Sequence, residues 1–309
     1  MRSTRARGPG LRLPPGGTQA AVPPTASSVL ASTLMDTPVM MAHGMCCTGA
    51  VWHNFRAFFE ARGTRVYTPT LRPHVRTRLD QRPHPDIRKL AFADYIADLE
   101  QEALAIERET GKKPAMIGHS MGGLLAQALA ERGTVSAAVF ISPSPPAGVR
   151  ILASHVYWTL LFAADRVRLV PRAIKADRRM AGYLALNAVP AARHAAIHGS
   201  FVHESGRAFI DLGHWPIDEH KVRIPVLTVS AKRDRLVPAA LVRLTAKKYA
   251  RVGGEFREYA AHGHWLYDEP GWEKPAADIY DWLRAALAAP GEPAVERGRA
   301  AAARAGAAG

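Results

Sequence analysis

The stretch KPAMIGHSMGGLLAQALAERG, residues 113–133, decides the fold. An apolar run, Ala115-Met116-Ile117, enters the pentapeptide Gly118-His119-Ser120-Met121-Gly122. A helical pattern leaves it, with Leu124, Leu125, Ala128 and Leu129 spaced for one face. The glycines permit a cramped strand-to-helix turn with Ser120 at its apex. By itself the pentapeptide carries little weight: with 25 Gly in 309 residues, chance produces it in about one such chain in twelve. The competing reading is a glycine-rich nucleotide-binding turn. It is disfavoured, because no Gly-x-Gly-x-x-Gly follows a strand and no Gly-Lys-Ser/Thr phosphate loop occurs.

On both sides of that turn, short apolar runs alternate with amphipathic stretches. Residues 37–44, 65–71, 114–118, 137–143, 224–231 and 255–260 read as buried strands. Between them, Trp52, Phe55, Phe58 and Phe59 fall at helical spacing before a stop at Gly63, and Phe92, Ile96, Leu99, Ala103 and Ile106 share a face closed by Gly111. Further helices are expected in 239–253 and 278–289. This order predicts an α/β fold, a mainly parallel sheet flanked by helices on both faces. The alternation lapses from about Pro145 to Glu219, where the sequence is helical throughout, which predicts an inserted helical cap. Residues 1–36 and 290–309, rich in Ala, Arg, Gly and Pro, are expected to be a disordered N-terminal extension and a disordered tail. The core then comprises residues 37–144 and 220–289, with the cap at 145–219. Met35, just ahead of the first strand, is the expected natural start.

A formal net charge of +14 raises the question of a nucleic-acid partner. The charge comes from 32 Arg against 9 Lys, scattered without a dense basic run or interleaved aromatics, so no nucleic-acid partner is expected. Cys46 and Cys47 are adjacent and imply no disulfide framework; they read as packing residues. No apolar run reaches the roughly 18 residues of a membrane span, and no secretory signal is built, so the expected location is cytoplasmic. Oligomeric state is not legible.

Three more motifs stand far from Ser120. "SAKRDRLVP" follows the 224–231 strand and carries Asp234; "AAHGHWLYDEPGW" follows the last strand and carries His262 and His264; "HGMCCTGAVW" follows the first. With the pentapeptide, they place Ser, acid and His in the order Ser120, Asp234, His264. From about residue 37 to 289 the chain thus resembles the α/β-hydrolase family, of the serine hydrolase or esterase kind with a helical cap.

The resemblance implies roles. Ser120 is the nucleophile, His264 the general base, and Asp234 the acid that orients it. Asp234 also reads as a turn aspartate or helix cap, and His262, two residues from His264, would share its face if extended; His264 is preferred. The amides of Met45, after His43-Gly44, and of Met121 form the oxyanion hole. His43 is structural, and His119 has no proton-transfer role. No cofactor and no metal are implied. The expected activity is hydrolysis of a small, largely apolar carboxylic ester, thioester or lactone through an acyl-enzyme. The alternatives are carbon–carbon hydrolase, haloperoxidase or lyase chemistry on the same fold, or a non-catalytic small-molecule receptor.

Two features depart from the family pattern. No strand pair precedes residue 37, so the sheet is expected to have six strands. The loop "TPTLRPHVRTRLD" replaces the glycine-rich one usual after the second strand, leaving Arg72 and His74 to face either pocket or solvent. In the cap, Tyr157, Trp158, Leu160, Leu161 and Phe162 suit an acyl pocket or helix packing. His194, His198 and His203 hint at metal binding but lack a completing carboxylate, and read as scattered polar-face histidines. Glu204-Ser205-Gly206-Arg207 reads as a helix break.

Overall fold

Strand β1 (Val39–Ala42) is buried at all four positions, and its side chains alternate between two layers of core. Val39 and Met41 join Trp52, Phe55 and Phe59 on one face; Met40 and Ala42 join Phe92, Tyr95 and Ile96 on the other. A strand covered on both faces must be apolar at every position, which is why these runs lack hydrophobic alternation. The structure, a computed structural model, describes residues 36–74, 78–150, 172–212 and 214–288.

In chain order the elements are β1, α1 (His53–Glu60), β2 (Val66–Tyr67), α2 (Phe92–Thr110), β3 (Ala115–His119), α3 (Met121–Arg132) and β4 (Ala138–Ile141). An insertion follows with β5 (Ala173–Ile174), α4 (Arg178–Leu184), α5 (Ala191–Gly199), β6 (Glu204–Ser205) and α6 (Gly206–Asp211). The chain returns to the sheet with β7 (Val226–Ala231), α7 (Ala239–Ala250), β8 (Glu255–Tyr259) and α8 (Glu273–Ala288). Among the described residues the main sheet has six strands, ordered β2-β1-β3-β4-β7-β8, and every neighbouring pair is parallel.

The eight-residue α1 is too short to persist alone in water. Burial of Phe55 and Phe59, roughly 2 kcal/mol each, holds it against α8. Across the sheet, α2 buries Phe92, Tyr95, Ile96, Leu99, Ala103 and Ile106 and ends at Gly111 with φ 74°. Leu124 and Leu125 of α3 pack in the same layer.

A parallel sheet gathers the loops after its strands along one edge. The strand order reverses between β1 and β3, since β2 lies beyond β1 on one side and the later strands lie beyond β3 on the other. At such a reversal the two outgoing loops diverge and leave a crevice between them. Register pairs Ala42 with Gly118, so His43-Gly44 and Ser120 leave the sheet side by side.

Among its described residues, the insertion is less helical than its sequence suggests. α5 stops at Gly199, and β6 pairs antiparallel with β5. Val202 forms an isolated antiparallel bridge with Arg78, and the Leu79 amide donates to the Phe201 carbonyl. Residues 201–206 are all buried, and a run buried at every position cannot be a half-exposed helix face. Glu204-Ser205-Gly206-Arg207 is therefore the junction of a strand and a helix, with Ser205 Oγ capping α6 by accepting from the Ala208 amide. Tyr157, Trp158, Leu160, Leu161 and Phe162 lie outside the described residues. No helix among the described residues is long and apolar enough to cross a membrane.

Candidate active site

Ser120 sits between β3 and α3 with φ 55° and ψ −118°, a conformation that costs an L-residue on the order of 1–3 kcal/mol. Contacts on every side enforce it. The Ser120 amide donates to the Ile141 carbonyl, and the Ser120 carbonyl accepts from the Gly123 and Ser144 amides. Gly118 and Gly122 make the turn sterically feasible. A Cβ on Gly118 would stand 2.1 Å from the Gly122 carbonyl oxygen, and one on Gly122 would stand 2.3 Å from that of Ala42.

The loop after β1 runs directly past the serine. A Cβ on Gly44 would lie 3.1 Å from Ser120 Cβ. The buried His43 ring braces this loop: Nδ1 donates to the Gly44 carbonyl at 2.8 Å, and Nε2 accepts from the Leu71 amide at 3.1 Å. An imidazole accepting at one nitrogen is neutral. Burial, reinforced by the nearby His74, lowers its pKa to about 4. Met45 follows in the same loop, and Met121 opens α3, where its amide has no intrahelical acceptor.

Asp234 lies three residues beyond β7, in a tight turn closed by its own amide donating to the Ala231 carbonyl. One carboxylate oxygen, Oδ1, accepts from the Leu236 and Val237 amides at 2.8 Å each. The other, Oδ2, accepts from His264 Nδ1 at 2.8 Å. With its proton held on Nδ1, neutral His264 presents a lone pair at Nε2. The Arg233 amide donates to the His262 carbonyl, tying the acid's loop to the histidine's loop.

A sequence model described as "Alpha/beta hydrolase family" matches residues 39–282. The chain belongs to the α/β-hydrolase family. This hydrolase is 26% identical to a monoacylglycerol lipase of Mycolicibacterium smegmatis over 79% of the chain and 87% of that protein. Among solved structures it is similar to a pyrethroid hydrolase from Sphingobium faniae JZ-2, with TM-score 0.62, 20% identity and coverage of 82% of this chain and 98% of that one. A monoacylglycerol lipase from Paleococcus ferrophilus matches with TM-score 0.58 and 20% identity over 81% and 96% of the respective chains.

Several residues of this hydrolase brace the site without having been singled out for it. Glu269 brackets His264: Oε2 accepts from the Gly263 amide at 2.7 Å, and Oε1 from the Trp265 amide at 3.1 Å. His119 Nε2 donates to the His264 carbonyl at 2.8 Å, with the ring centroids 4.5 Å apart. Burial and the neighbouring His264 push the His119 pKa well below its ordinary value, so His119 supports the loop as a neutral ring. His262 is directed elsewhere. Its Nδ1 lies 3.3 Å from Glu269 Oε2, outside hydrogen-bond alignment, and Asp234 bonds His264 instead. His262→Ala is accordingly expected to retain kcat/KM on an aryl ester within about threefold, read from initial rates. Loss of activity in that variant would transfer the assignment to His262.

His74 faces neither open pocket nor solvent: it is fully buried and paired to Glu204, which is also fully buried. Its Nδ1 donates to the Leu71 carbonyl at 2.8 Å and its Nε2 to Glu204 Oε2 at 3.0 Å, so both nitrogens donate and the ring is cationic. Burial opposes that cation, but the Glu204 carboxylate and the Leu71 and Arg72 backbone bonds together outweigh burial and raise the pKa. Burial also opposes the Glu204 anion, and His74, Tyr95 and the Ser205 amide together hold its pKa below the ordinary value. Arg72 is exposed and pairs with Asp98. His194 Nε2 donates to the Val189 carbonyl and His198 Nε2 to that of Ala176. Among the described residues, no three His, Cys, Asp or Glu side chains converge as metal ligands. Cys46 and Cys47 are buried, and burial raises both thiol pKa values far above normal.

Proposed function

We propose that this chain hydrolyses carboxylic esters, thioesters or lactones of largely apolar character through an acyl-enzyme on Ser120. One observation carries the reading: the His264 Nδ1 to Asp234 Oδ2 bond, in which the acid's second oxygen is locked by two amides. Such a pair does nothing for packing that an apolar pair would not do better, but it sets the tautomer a general base requires. Ester-cleaving relatives, two of them monoacylglycerol lipases, support the substrate class.

In this mechanism Ser120 Oγ attacks the substrate carbonyl carbon while His264 Nε2 takes the hydroxyl proton. Asp234 stabilises the resulting imidazolium. The amides of Met45 and Met121 receive the oxyanion, whose charge they stabilise without reorganising. Collapse breaks the bond to the leaving group, which receives the proton from His264. Water, deprotonated by His264, then attacks the acyl carbon and releases the acid with Ser120 restored. The insertion between β4 and β7 acts as a cap over the crevice and shapes its acyl side.

The test is labelling with a fluorophosphonate probe. Wild type is expected to be labelled stoichiometrically at Ser120, and Ser120→Ala to remain unlabelled. Equal labelling of the two proteins would remove Ser120 as the nucleophile.

A further inference from the structure

The peptide planes on either side of Met45 are both pinned, and both pins lead back to one side chain. A trans peptide is planar with N–H and C=O pointing opposite ways, so fixing the carbonyl fixes the direction of the next amide. The Gly44–Met45 plane contains the Met45 N–H, and its carbonyl accepts from His43 Nδ1. His43 is set by the Leu71 amide, the Leu71 carbonyl accepts from His74, and His74 donates to Glu204 Oε2. The Met45–Cys46 plane is reached directly, because the Cys46 amide donates to the same Glu204 oxygen at 3.4 Å. Cys46 itself is held at φ 58°, and its carbonyl accepts from the Val202 amide, two residues from Glu204.

We propose that Glu204, reaching in from the insertion, is a positioning residue for the oxyanion hole: its carboxylate fixes both peptide planes that flank Met45 and so aims the Met45 N–H. The inference rests on the role given to Met45 above. The remaining bonds to Glu204 hold the carboxylate in place. Tyr95 Oη donates to Oε1 at 2.6 Å and the Ser205 amide donates to it at 2.8 Å. The titratable groups around it are His74 and His43 from the two loops, Tyr95 from α2, and Cys46 and Cys47. A surface anion would serve poorly here. Removed from water, a fully bonded carboxylate keeps one orientation and polarises the chain of donors attached to it.

Glu204→Gln tests this with little change of shape. The new NH₂ must face an amide hydrogen at one end. It turns away from the Ser205 amide at 2.8 Å and towards the looser Cys46 amide at 3.4 Å, where two donors then oppose each other. His74 adapts by losing its Nε2 proton and accepting from the same NH₂. Deleting an oxyanion donor outright costs on the order of 10²–10³ in kcat, so misaiming one is expected to cost about 10- to 100-fold. KM should stay within about twofold, since ground-state binding does not use the oxyanion geometry. Fluorophosphonate labelling at Ser120 should slow by a factor similar to kcat, because the phosphonyl oxygen occupies the same hole.

Tyr249→Phe serves as the stability control, since it removes a buried bond between Tyr249 on α7 and Gln127 on α3. It is expected to lower the melting temperature and keep kcat. Wild-type kcat and labelling rate in Glu204→Gln would overturn the proposal. So would an equal loss of kcat in Tyr249→Phe at a matched melting temperature. If Glu204→Gln is not recovered folded, His74→Gln carries the test: reduced kcat at unchanged KM supports the proposal, and wild-type kcat overturns it. Failure of the underlying reading looks different, because Ser120→Ala would then label as wild type does.

Discussion

Ser120→Ala is expected to lower kcat on an aryl ester by roughly 10⁴- to 10⁶-fold, with KM and melting temperature close to wild type. The substitution removes only Oγ. Alanine has the same Cβ as serine, so the strained backbone at φ 55° is neither relieved nor worsened, and the backbone bonds that hold the elbow are untouched. The two cysteines of the neighbouring loop cannot stand in as nucleophiles. Cys46 and Cys47 are buried, and their thiols are held protonated far above neutral pH. In the proposed mechanism the two oxyanion amides remain to assist attack by water, so a residual rate above background is expected. Initial-rate assays on purified, folded protein decide the matter: a loss of less than about tenfold is irreconcilable with an acyl-enzyme on Ser120.

Asp234→Asn is expected to cost about 10⁴-fold in kcat, again at nearly constant KM. The new side chain has one oxygen and one NH₂. The oxygen is retained by the Leu236 and Val237 amides, each bonded at 2.8 Å in the native protein. The NH₂ must then face His264 Nδ1 and donate to it. That forces the ring proton onto Nε2, which in the proposed mechanism must instead accept the Ser120 proton. The fold should be unaffected while the tautomer is inverted, and ¹⁵N-histidine NMR reads the tautomer directly. Near-native kcat in Asp234→Asn, with the His264 proton still on Nδ1, would contradict the account.

The four central strands were legible because burial on both faces leaves short, largely apolar runs. The edge strand β8, Glu-Phe-Arg-Glu-Tyr, was expected to be buried but is exposed or half-buried along its length, since an edge strand is covered less than a central one. Ser120, Asp234 and His264 could be picked out as candidates from sequence because each follows a strand and carries a local signature. The preference for His264 over His262 could not be settled by spacing, since residues two apart are equivalent on an extended segment. In the structure it is His264, not His262, whose Nδ1 bonds Asp234. Glu204 and His74 were illegible for a different reason. Their pairing spans 130 residues and has no period, and a charged residue in sequence reads as surface by default. Likewise, nothing local announces that His119 donates to a carbonyl 145 residues away. Helical spacing in the insertion was misleading past Gly199, where tertiary pairing with Arg78 and with β5 takes over from local propensity. Helix α8 begins at Glu273, five residues ahead of its expected start, because Glu273-Lys274-Pro275 reads as a breaker while proline is well tolerated in a first helical turn.

The hydrogen bond from the Val202 amide to the Cys46 carbonyl bears on how this protein could be re-engineered. Insertions of this kind invite exchange between relatives as modules, on the premise that a core supplies the reaction and a swappable lid supplies selectivity. Here the boundary of the module does not coincide with the boundary of the insertion. Residues 201–205 behave as a strap of the core that happens to be encoded within the insertion. A chimera that respects this would join donor sequence up to Gly199 and again from Gly206, leaving the strap in place. One cut at the ends of the insertion would carry the strap away with the lid.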